Sequence, residues 1–411
     1  MVRKGVNNCK TAVIVYDYAF INGGAAKVAI KTALGLRKRG IKVIYFSAVG
    51  PVCPELSESD VKNVCLNMDD INTGKKVNAI CNGIWNLRAK RELQKILYNL
   101  DKNQTIVHFH GWSKALSSSV VHVASSMKFK VFVTLHEYFS LCPNGGFYNY
   151  QKEAICCCRP MSLRCILANC DKRNYIQKMW RVCRQLVQDF VVRRNKHIIY
   201  ISISDLNENI VRRYLSGKQF CRVKNPVEMG EKPIQDIGSN KGILYVGRLS
   251  EEKGIELFCE ALEGLRERGL TVQGIVVGGG EYGNKLIEKY PEVEFVGWKN
   301  NEEVQRFMRT SRALVFPSKW YEGAPLTIVE AMSIGLPCIV SDCTSAAELI
   351  QDNCNGLIFR SNDIFSLEEK LIDILKDNTA ERLHKNICGD FDRNEYLDET
   401  YISNLLYAYS L

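Results

Sequence analysis

The chain has 411 residues, of which 46% are hydrophobic and 24% charged, a composition typical of a soluble globular protein with two domains. No apolar run approaches the roughly 20 residues of a membrane-spanning helix, and the first residues lack a secretory cleavage pattern, so we expect a cytoplasmic protein. Seventeen cysteines, an odd number spread over both halves, fit a reducing compartment better than a disulfide framework.

The positive charge is concentrated in one half of the chain. Residues 1–225 carry 36 Lys and Arg against 14 Asp and Glu, whereas the remaining residues carry 19 against 31, which gives the net charge of +10. Such a basic half is either a solvated surface or a surface that meets an anionic membrane or an anionic acceptor. Nucleic acid is not expected as a partner, because no base-reading motif accompanies the charge.

Short apolar runs rich in Val and Ile alternate with helical patterns along the whole chain. The predicted strands cover residues 11–18, 42–48, 105–111, 130–138, 197–204, 242–248, 270–278, 293–297, 312–318 and 337–342. This alternation predicts an α/β protein with parallel sheets covered on both faces. We predict two doubly wound, Rossmann-like domains, residues 1–225 and 226–392, and an amphipathic C-terminal helix at about 393–411.

Two features of the first domain mark candidate ligand contacts. Gly23 and Gly24 join the first strand to a helix, where glycines let the backbone approach a ligand and leave helix N–H groups free. A plain tight turn is the alternative. His136 and Glu137 end a buried strand at its carboxyl edge, where α/β proteins bind ligands, although a single histidine is more often structural.

A cysteine-rich insert occupies residues 142–170. Four thiolates can hold a structural zinc ion, and the candidate ligands are Cys142, Cys156, Cys165 and Cys170. The spacing lacks short Cys-x2-Cys pairs on both sides, so free thiols in a packed loop are the preferred interpretation. The basic helical pattern that follows, residues 171–196, suits either domain packing or membrane contact.

In the second domain the stretch "YVGRLSEEKGIE" places two cations between a strand and a helix that opens at about Gly254. It is not a Walker loop, because the Gly-Lys-Ser/Thr ending is missing. Arg248 and Lys253 lie near a helix N-terminus at the carboxyl end of a strand, where anions bind. A guanidinium can grip a phosphate with two hydrogen bonds, and an ammonium supplies a movable charge. Ordinary surface cations are the alternative.

The stretch "WYEGAPLTIVEAM" contributes two carboxylates to the same domain. Pro325 fits the first turn of a helix that we predict from about Leu326 to Ile334, and the first amides of this helix invite a phosphate. Glu330 points back toward that end, and Glu322 lies in the loop before it. Carboxylates repel a diphosphate, so these two suit the hydroxyl groups of a ribose and a sugar. One capping and one solvent-facing Glu is the alternative.

Four segments of the second domain, "GRLSEEKG", "PSKWYEGAPLTIVEAMSIGLPCIVSD", "AAELI" and "NGLIF", resemble the glycosyl transferases group 1 domain of glycosyltransferase family 4. Members of this family are retaining enzymes with the GT-B fold. Order and spacing match across about 241–360, and the glutamate pair with seven residues between its members is specific to the family. More loosely, "INGGAAKVA", "VTLHEY", "ISISDL" and "VKNPV" resemble the family's acceptor-side domain.

The resemblance implies two Rossmann-like domains facing a cleft, with the C-terminal helix crossing back onto the first. It assigns the donor diphosphate to Arg248 and Lys253, the ribose to Glu330, and the transferred sugar to Glu322 and His136. Arg248, Lys253, His136 and Glu322 are the expected catalytic residues; the donor-binding set adds Gly23, Gly24, Ala324, Pro325, Leu326, Thr327 and Glu330. Two positions depart from the family pattern: Glu137 replaces the usual Asp, and Pro325 removes one amide donor.

By this resemblance we expect transfer of a sugar from a UDP- or GDP-linked donor to a hydroxyl of a glycan or lipid-linked saccharide, in surface polysaccharide assembly. No cofactor and no catalytic metal are expected, since electrostatic stabilisation by the two cations serves that purpose. A nucleotide-sugar epimerase or hydrolase that needs no acceptor, and a non-catalytic basic binding protein, are the alternatives. As a further hypothesis, the basic first domain docks on the anionic inner face of the membrane.

Overall fold

The computed structural model describes residues 9–73, 76–193, 195, 197–230 and 232–411, without the side chains of residues 76, 77 and 377. The chain forms two compact units. The first contains the described residues up to Phe147, then Cys157–Pro226 and Asn394–Leu411; the second contains Tyr148–Cys156 and Val227–Arg393. The segment Tyr148–Cys156 therefore packs with the second unit, whereas we predicted the whole cysteine-rich insert in the first.

Fifteen strands are found in the described residues. Up to Pro226 they are β1 (Thr11–Tyr18), β2 (Lys42–Val49), β3 (Lys62–Cys65), β4 (Thr105–Phe109), β5 (Lys130–Thr134), β6 (Tyr148–Asn149), β7 (Ala154–Ile155), β8 (Ile198–Ser202) and β9 (Gln219–Arg222). After it they are β10 (Gly242–Val246), β11 (Gly274–Val277), β12 (Val293–Gly297), β13 (Ser311–Phe316), β14 (Cys338–Ser341) and β15 (Leu357–Phe359).

The same residues contain fifteen α-helices. Up to Pro226 they are α1 (Gly24–Lys38), α2 (Pro54–Ser57), α3 (Lys76–Ile84), α4 (Leu87–Tyr98), α5 (Ser119–Ser126), α6 (Leu163–Leu167), α7 (Tyr175–Gln188) and α8 (Asp205–Arg212). After it they are α9 (Ile255–Glu267), α10 (Gly283–Lys289), α11 (Asn301–Thr310), α12 (Leu326–Ser333), α13 (Ile364–Leu375), α14 (Asp377–Asp390) and α15 (Asp398–Ser410). None of these helices is both long and apolar enough to cross a bilayer.

The first unit is built on a seven-stranded parallel sheet in the order β3-β2-β1-β4-β5-β8-β9. Its central strands are buried on both faces: Ala12, Val13, Ile14 and Val15 of β1 are all 0% exposed. A parallel sheet needs crossover connections that cover its faces, which is why its strands read as continuous apolar runs. The helices between the strands supply that cover.

The second unit has a six-stranded parallel sheet in the order β12-β11-β10-β13-β14-β15. The order reverses between β10 and β13, which are paired at the centre of the sheet. In open α/β sheets, ligands bind beside the carboxyl ends of the strands at such a reversal. The loops that follow β10 and β13 are therefore the natural ligand-binding elements of this unit.

The C-terminal helix α15 packs on the first unit, as predicted. Tyr401 shares a 2.6 Å hydrogen bond with Thr32 of α1, and Tyr409 shares one of 2.7 Å with His108 of β4. The two helices approach closely because α1 carries Gly35 at the crossing, where a Cβ atom would lie 2.5 Å from the Ile402 side chain. The chain thus returns to its first sheet after completing the second unit.

We predict that Leu405→Ala, which empties a fully buried position of α15, lowers the free energy of unfolding of the first unit by about 2–5 kcal/mol. Urea unfolding followed by tryptophan fluorescence measures the change. Tyr407→Ala is the matched control on the same helix, because Tyr407 is 68% exposed and its truncation should change stability by less than about 0.5 kcal/mol. Equal effects of the two substitutions would contradict the packing of α15.

Candidate functional site

The loop after β10 carries both predicted cations: Arg248 lies near its start, and Lys253 ends a 3-10 turn, Glu251–Lys253, that is followed by Gly254. Gly254 has a φ of +69°, and a Cβ atom there would lie 1.9 Å from the carbonyl oxygen of Pro317. Only glycine permits both the left-handed backbone and this close approach. The turn is therefore held directly against the loop that follows β13, which contains Glu322.

Lys253 and Glu322, predicted separately from two motifs, form an ion pair. The Glu322 carboxylate also accepts hydrogen bonds from Ser318 Oγ at 3.0 Å and Trp320 Nε1 at 2.6 Å. Burial alone would raise the pKa of Glu322, but the charge of Lys253 and these hydrogen bonds outweigh it and hold the pKa below its usual value. Glu322 is thus an oriented carboxylate, ionised at neutral pH.

Arg248 lies at the surface of the same loop, with 60% of its side chain exposed. Its guanidinium donates to Glu252 Oε1 at 2.8 Å, and Ser250 Oγ donates to the same oxygen at 2.8 Å. Glu252 itself is 3% exposed, so a buried carboxylate sits under the guanidinium and orients it. Sequence reasoning missed Glu252, because an acid in "SEEKG" resembles an ordinary surface residue.

The insert segment Tyr148–Cys156 also supports this loop. It forms a hairpin of β6 and β7, and Tyr148 donates to Glu251 Oε1 at 3.3 Å while Tyr282 donates to Glu251 Oε2 at 3.2 Å. Lys319 pairs with Glu153 of the hairpin at 3.2 Å. These contacts hold Glu251 of the turn in place, and no sequence pattern predicts them.

Helix α12 begins close to Glu322, with Pro325 at the N-cap and no side-chain cap for its first amides. The amides of Leu326 and Thr327 therefore remain available at the positive end of the helix dipole. Glu330 lies one turn into this helix and is 9% exposed. Ala324 and Pro325 form the approach to the helix, so the predicted donor-binding residues of this unit occupy two adjacent loops and one helix end.

The predicted residues of the first unit lie at the carboxyl ends of two strands. Gly23 is the exposed N-cap of α1, and a Cβ atom there would meet nothing within 4 Å, so packing does not require glycine at this position. His136 follows β5 and shares a 2.9 Å hydrogen bond with His110, which follows β4. Burial lowers the pKa of His136 to about 3. Sequence reasoning missed His110, although it ends a predicted strand just as His136 does.

Two cations and one ring near these histidines were also missed. The Lys114 ammonium and the Arg184 guanidinium lie 5.1 and 4.9 Å from the centroid of Phe139. Arg184 donates to the carbonyls of Ser113 and Pro143 at 3.1 Å, and burial lowers its pKa to about 10.

A cavity of about 910 Å³ in this unit lies elsewhere, at the amino ends of the strands, and none of the predicted site residues lines it.

The four cysteines named as candidate zinc ligands are divided between the two units. Cys142, Cys165 and Cys170 are buried in the first unit, whereas Cys156 belongs to the hairpin of the second. Lys178, with no side-chain exposure, directs its ammonium at Cys165 Sγ from 3.9 Å. Within the described part of the chain no three His, Cys, Asp or Glu side chains are placed to hold a metal ion. The described residues contain no disulfide bond.

Comparison with known proteins identifies the second unit. Residues 231–388 match the model of the family described as glycosyl transferases group 1. This part of the chain belongs to that family. The group 1 domain thus contains all the predicted cations and carboxylates of the donor-binding set.

One curated relative and two solved structures extend the comparison. A UDP-Gal:alpha-D-GlcNAc-diphosphoundecaprenol alpha-1,3-galactosyltransferase of Escherichia coli is 33% identical over 193 residues, which are 45% of this chain and 49% of that protein. The chain spans about half the length of the curated relatives it matches.

Sucrose-phosphate synthase of Thermosynechococcus elongatus superimposes with a TM-score of 0.70 at 17% identity, covering 97% of this chain and 98% of that one. The Anabaena protein HepE in complex with UDP-glucose superimposes with a TM-score of 0.66 at 14% identity, covering 97% and 99%. These similarities confirm the predicted GT-B fold.

We predict that Glu322→Gln lowers stability at pH 7 and that this loss becomes smaller at acidic pH. A carboxylate whose pKa is depressed on folding contributes stability above its unfolded pKa, and this contribution is lost as the pH falls through the folded value. The stability difference between the variant and the parent protein should therefore shrink below about pH 4.5. Urea midpoints at pH 7 and pH 3 measure it, with the exposed Glu288→Gln as control. A difference that stays constant with pH would contradict the ion pair.

Proposed function

We propose that the protein is a retaining glycosyltransferase that moves a sugar from a UDP-linked donor to a hydroxyl of a glycan or lipid-linked saccharide. The observation that carries the proposal is the Lys253–Glu322 pair beside the uncapped start of α12, within the group 1 domain. The relatives named for UDP-galactose and solved with UDP-glucose support a uridine donor. The relative that acts on a diphosphoundecaprenol-linked sugar supports a lipid-linked acceptor in surface polysaccharide assembly.

In this proposal the two cations and the helix end bind the donor diphosphate. Arg248 uses one donor on Glu252 and has further N–H groups for phosphate oxygens. Lys253 has three N–H groups, so it can hold Glu322 and a phosphate oxygen at the same time. The amides of Leu326 and Thr327 complete the set, and Glu330 accepts hydroxyl hydrogens of the ribose.

Glu322 in the second unit binds the sugar end of the donor, where its carboxylate accepts a hydrogen bond from a sugar hydroxyl. For the first unit we adopt the roles that the family resemblance implies: Gly23 and Gly24 let the backbone approach the phosphates, and His136 contacts the transferred sugar. The surroundings of Gly23 support this role, because packing alone does not explain a glycine at this position.

The transfer step breaks the bond between the anomeric carbon and the phosphate oxygen. The acceptor hydroxyl oxygen attacks the anomeric carbon from the same face, and its proton passes to the departing phosphate oxygen. Negative charge grows on the diphosphate as the bond breaks. Arg248, Lys253 and the α12 amides stabilise that charge from fixed positions, which is where most of the catalysis arises.

We predict that UDP-sugars raise the melting temperature of the protein, since a ligand bound only by the folded state stabilises it. Screening UDP-glucose, UDP-galactose, UDP-N-acetylglucosamine and GDP-mannose by thermal shift tests this. With an active donor, Arg248→Gln and Lys253→Gln should each slow turnover by roughly 10²- to 10³-fold. Lys289→Gln, an exposed cation of the same unit, is the control and should leave the rate unchanged.

Three outcomes would reject this proposal. If no nucleotide sugar stabilises the protein, the donor assignment is wrong. Donor consumption at the same rate with and without a saccharide acceptor would favour an epimerase or hydrolase instead. Inversion of the anomeric configuration, read from the product by NMR, would reject retention.

We further propose that the first unit meets the cytoplasmic face of an anionic membrane through an α6–α7 patch, defined by Leu163, Leu167, Tyr175 and Ile176. Leu163, Leu167 and Ile176 are 72%, 64% and 80% exposed, and Tyr175 ties the two helices together by donating to the Ile166 carbonyl at 3.2 Å. Exposed cations neighbour these residues in the chain: Arg164 lies in α6, and Lys172 and Arg173 precede α7. Apolar side chains within a basic rim are typical of interfacial membrane binding.

We predict that the protein sediments with phosphatidylglycerol vesicles and not with phosphatidylcholine vesicles, and that salt weakens the binding. Replacing Arg164 and Arg173 with Gln should weaken it by roughly 30-fold, since each cation near an anionic surface contributes about 1 kcal/mol. Tyr98→Ser, at an 82% exposed position of the same unit, is the control. Equal sedimentation with both lipids would rule out the patch.

A further inference from the structure

Two histidine rings meet at the carboxyl edge of the first sheet. His110 Nδ1 and His136 Nε2 are 2.9 Å apart, and the rings stack with centroids 5.2 Å apart and planes 22° from parallel. His110 is 3% exposed, whereas His136 is only partly buried. The buried ring thus supports the more exposed one.

The backbone around His110 is fixed by hydrogen bonds. The His110 amide donates to the Val15 carbonyl at 2.9 Å. A few residues on, the amides of Lys114, Ala115 and Leu116 donate to the Asp17 carboxylate at 2.8–2.9 Å. His110 also packs against His108, with ring centroids 4.2 Å apart and planes tilted by 38°. The ring therefore has little freedom to turn away from His136.

The hydrogen-bond inventory decides which ring donates. Burial lowers the pKa of both rings, so each is neutral near pH 7 and carries one N–H. His110 Nε2 is buried and has no hydrogen-bond partner among the described residues. A hydrogen on that atom would be an unsatisfied buried donor, which is costly and rare. Placed on Nδ1 instead, the hydrogen of His110 is donated to Nε2 of His136.

The tautomer of His136 follows from that of His110. Because Nε2 of His136 accepts, its single hydrogen must be on Nδ1, the ring nitrogen left for a ligand. We propose that His110 is a positioning residue that locks His136 as an Nδ1–H donor, so that His136 donates a hydrogen bond to an oxygen of the transferred sugar. This inference rests on the proposed function for its ligand, but not for its geometry. In this state His136 has no free ring nitrogen with which to accept the acceptor proton.

The tautomers can be measured without any substrate. In the full chain labelled with ¹⁵N-histidine, long-range ¹H–¹⁵N correlation spectra at pH 7 distinguish a protonated from an unprotonated ring nitrogen, and His110→Asn and His136→Asn assign the signals. We expect the hydrogen on Nδ1 in both rings. A hydrogen on Nε2 of His136 would overturn the proposal, whether or not the protein transfers sugars.

Replacements of His110 test its effect on turnover. In His110→Asn the side-chain amide takes the place of Nδ1–H, whereas His110→Phe keeps a ring without a donor. With the donor found by thermal shift, we expect Asn to keep the rate within a few-fold and Phe to lose roughly tenfold, the effect of about one hydrogen bond. The matched controls are His197→Asn and His197→Phe, at an exposed histidine of the same unit.

The pattern of rates separates positioning from packing. Equal losses in His110→Asn and His110→Phe would mean that the ring matters only for packing and would overturn the proposal. Failure of the parent protein to turn over any donor would instead reject the proposed function. The tautomer of His136 would then still decide whether His110 sets it.

Discussion

Parallel strand pairing is the constraint on which the rest of the molecule depends. In each of the two large sheets every strand runs in the same direction, so all the carboxyl ends lie along one edge. The strand interiors are buried on both faces and hold almost only apolar side chains. Polar groups therefore collect mainly where the strands end. The ion pair of Lys253 with Glu322 and the contact of His110 with His136 both arise in this way.

The sequence predicts these buried strands well because their apolar runs are long. It also predicts the end of α12, where Gly335 takes a φ of +77° as the helix terminates. The edge strands β3, β9 and β15 were missed. They have three or four residues, and those of β3 and β9 are half-buried or exposed, so no apolar run announces them. We predicted the hairpin at Tyr148–Cys156 in the first unit, because residues that are neighbours in sequence usually pack together. It packs instead with the second unit.

For the candidate site, residue types and spacing predict which side chains belong to the site but not which residues they contact. Arg248, Lys253, Glu322 and Glu330 come from motifs, and the structure places them on two loops and a helix end. That Lys253 and Glu322 bind each other could not be predicted, because 69 residues separate them and the contact depends on β10 lying beside β13. Glu252 contacts Arg248 and His110 contacts His136, and each holds the predicted residue in place. Supporting side chains of this kind become visible only when burial is known.

The ion pair beside α12 has a consequence for selectivity. The Lys253 ammonium and the Glu322 carboxylate neutralise each other, so these two loops attract small inorganic anions less than an unpaired ammonium would. An anion that lacks a carbohydrate must draw the Lys253 ammonium away from Glu322. It then leaves the partly buried Glu322 carboxylate with little compensating positive charge. A ligand that carries both a pyrophosphate and a hydroxyl-bearing ring satisfies the two groups together. If the proposed donor binds at this pair, the pair thereby discriminates against the abundant phosphates of a cell before any chemistry takes place.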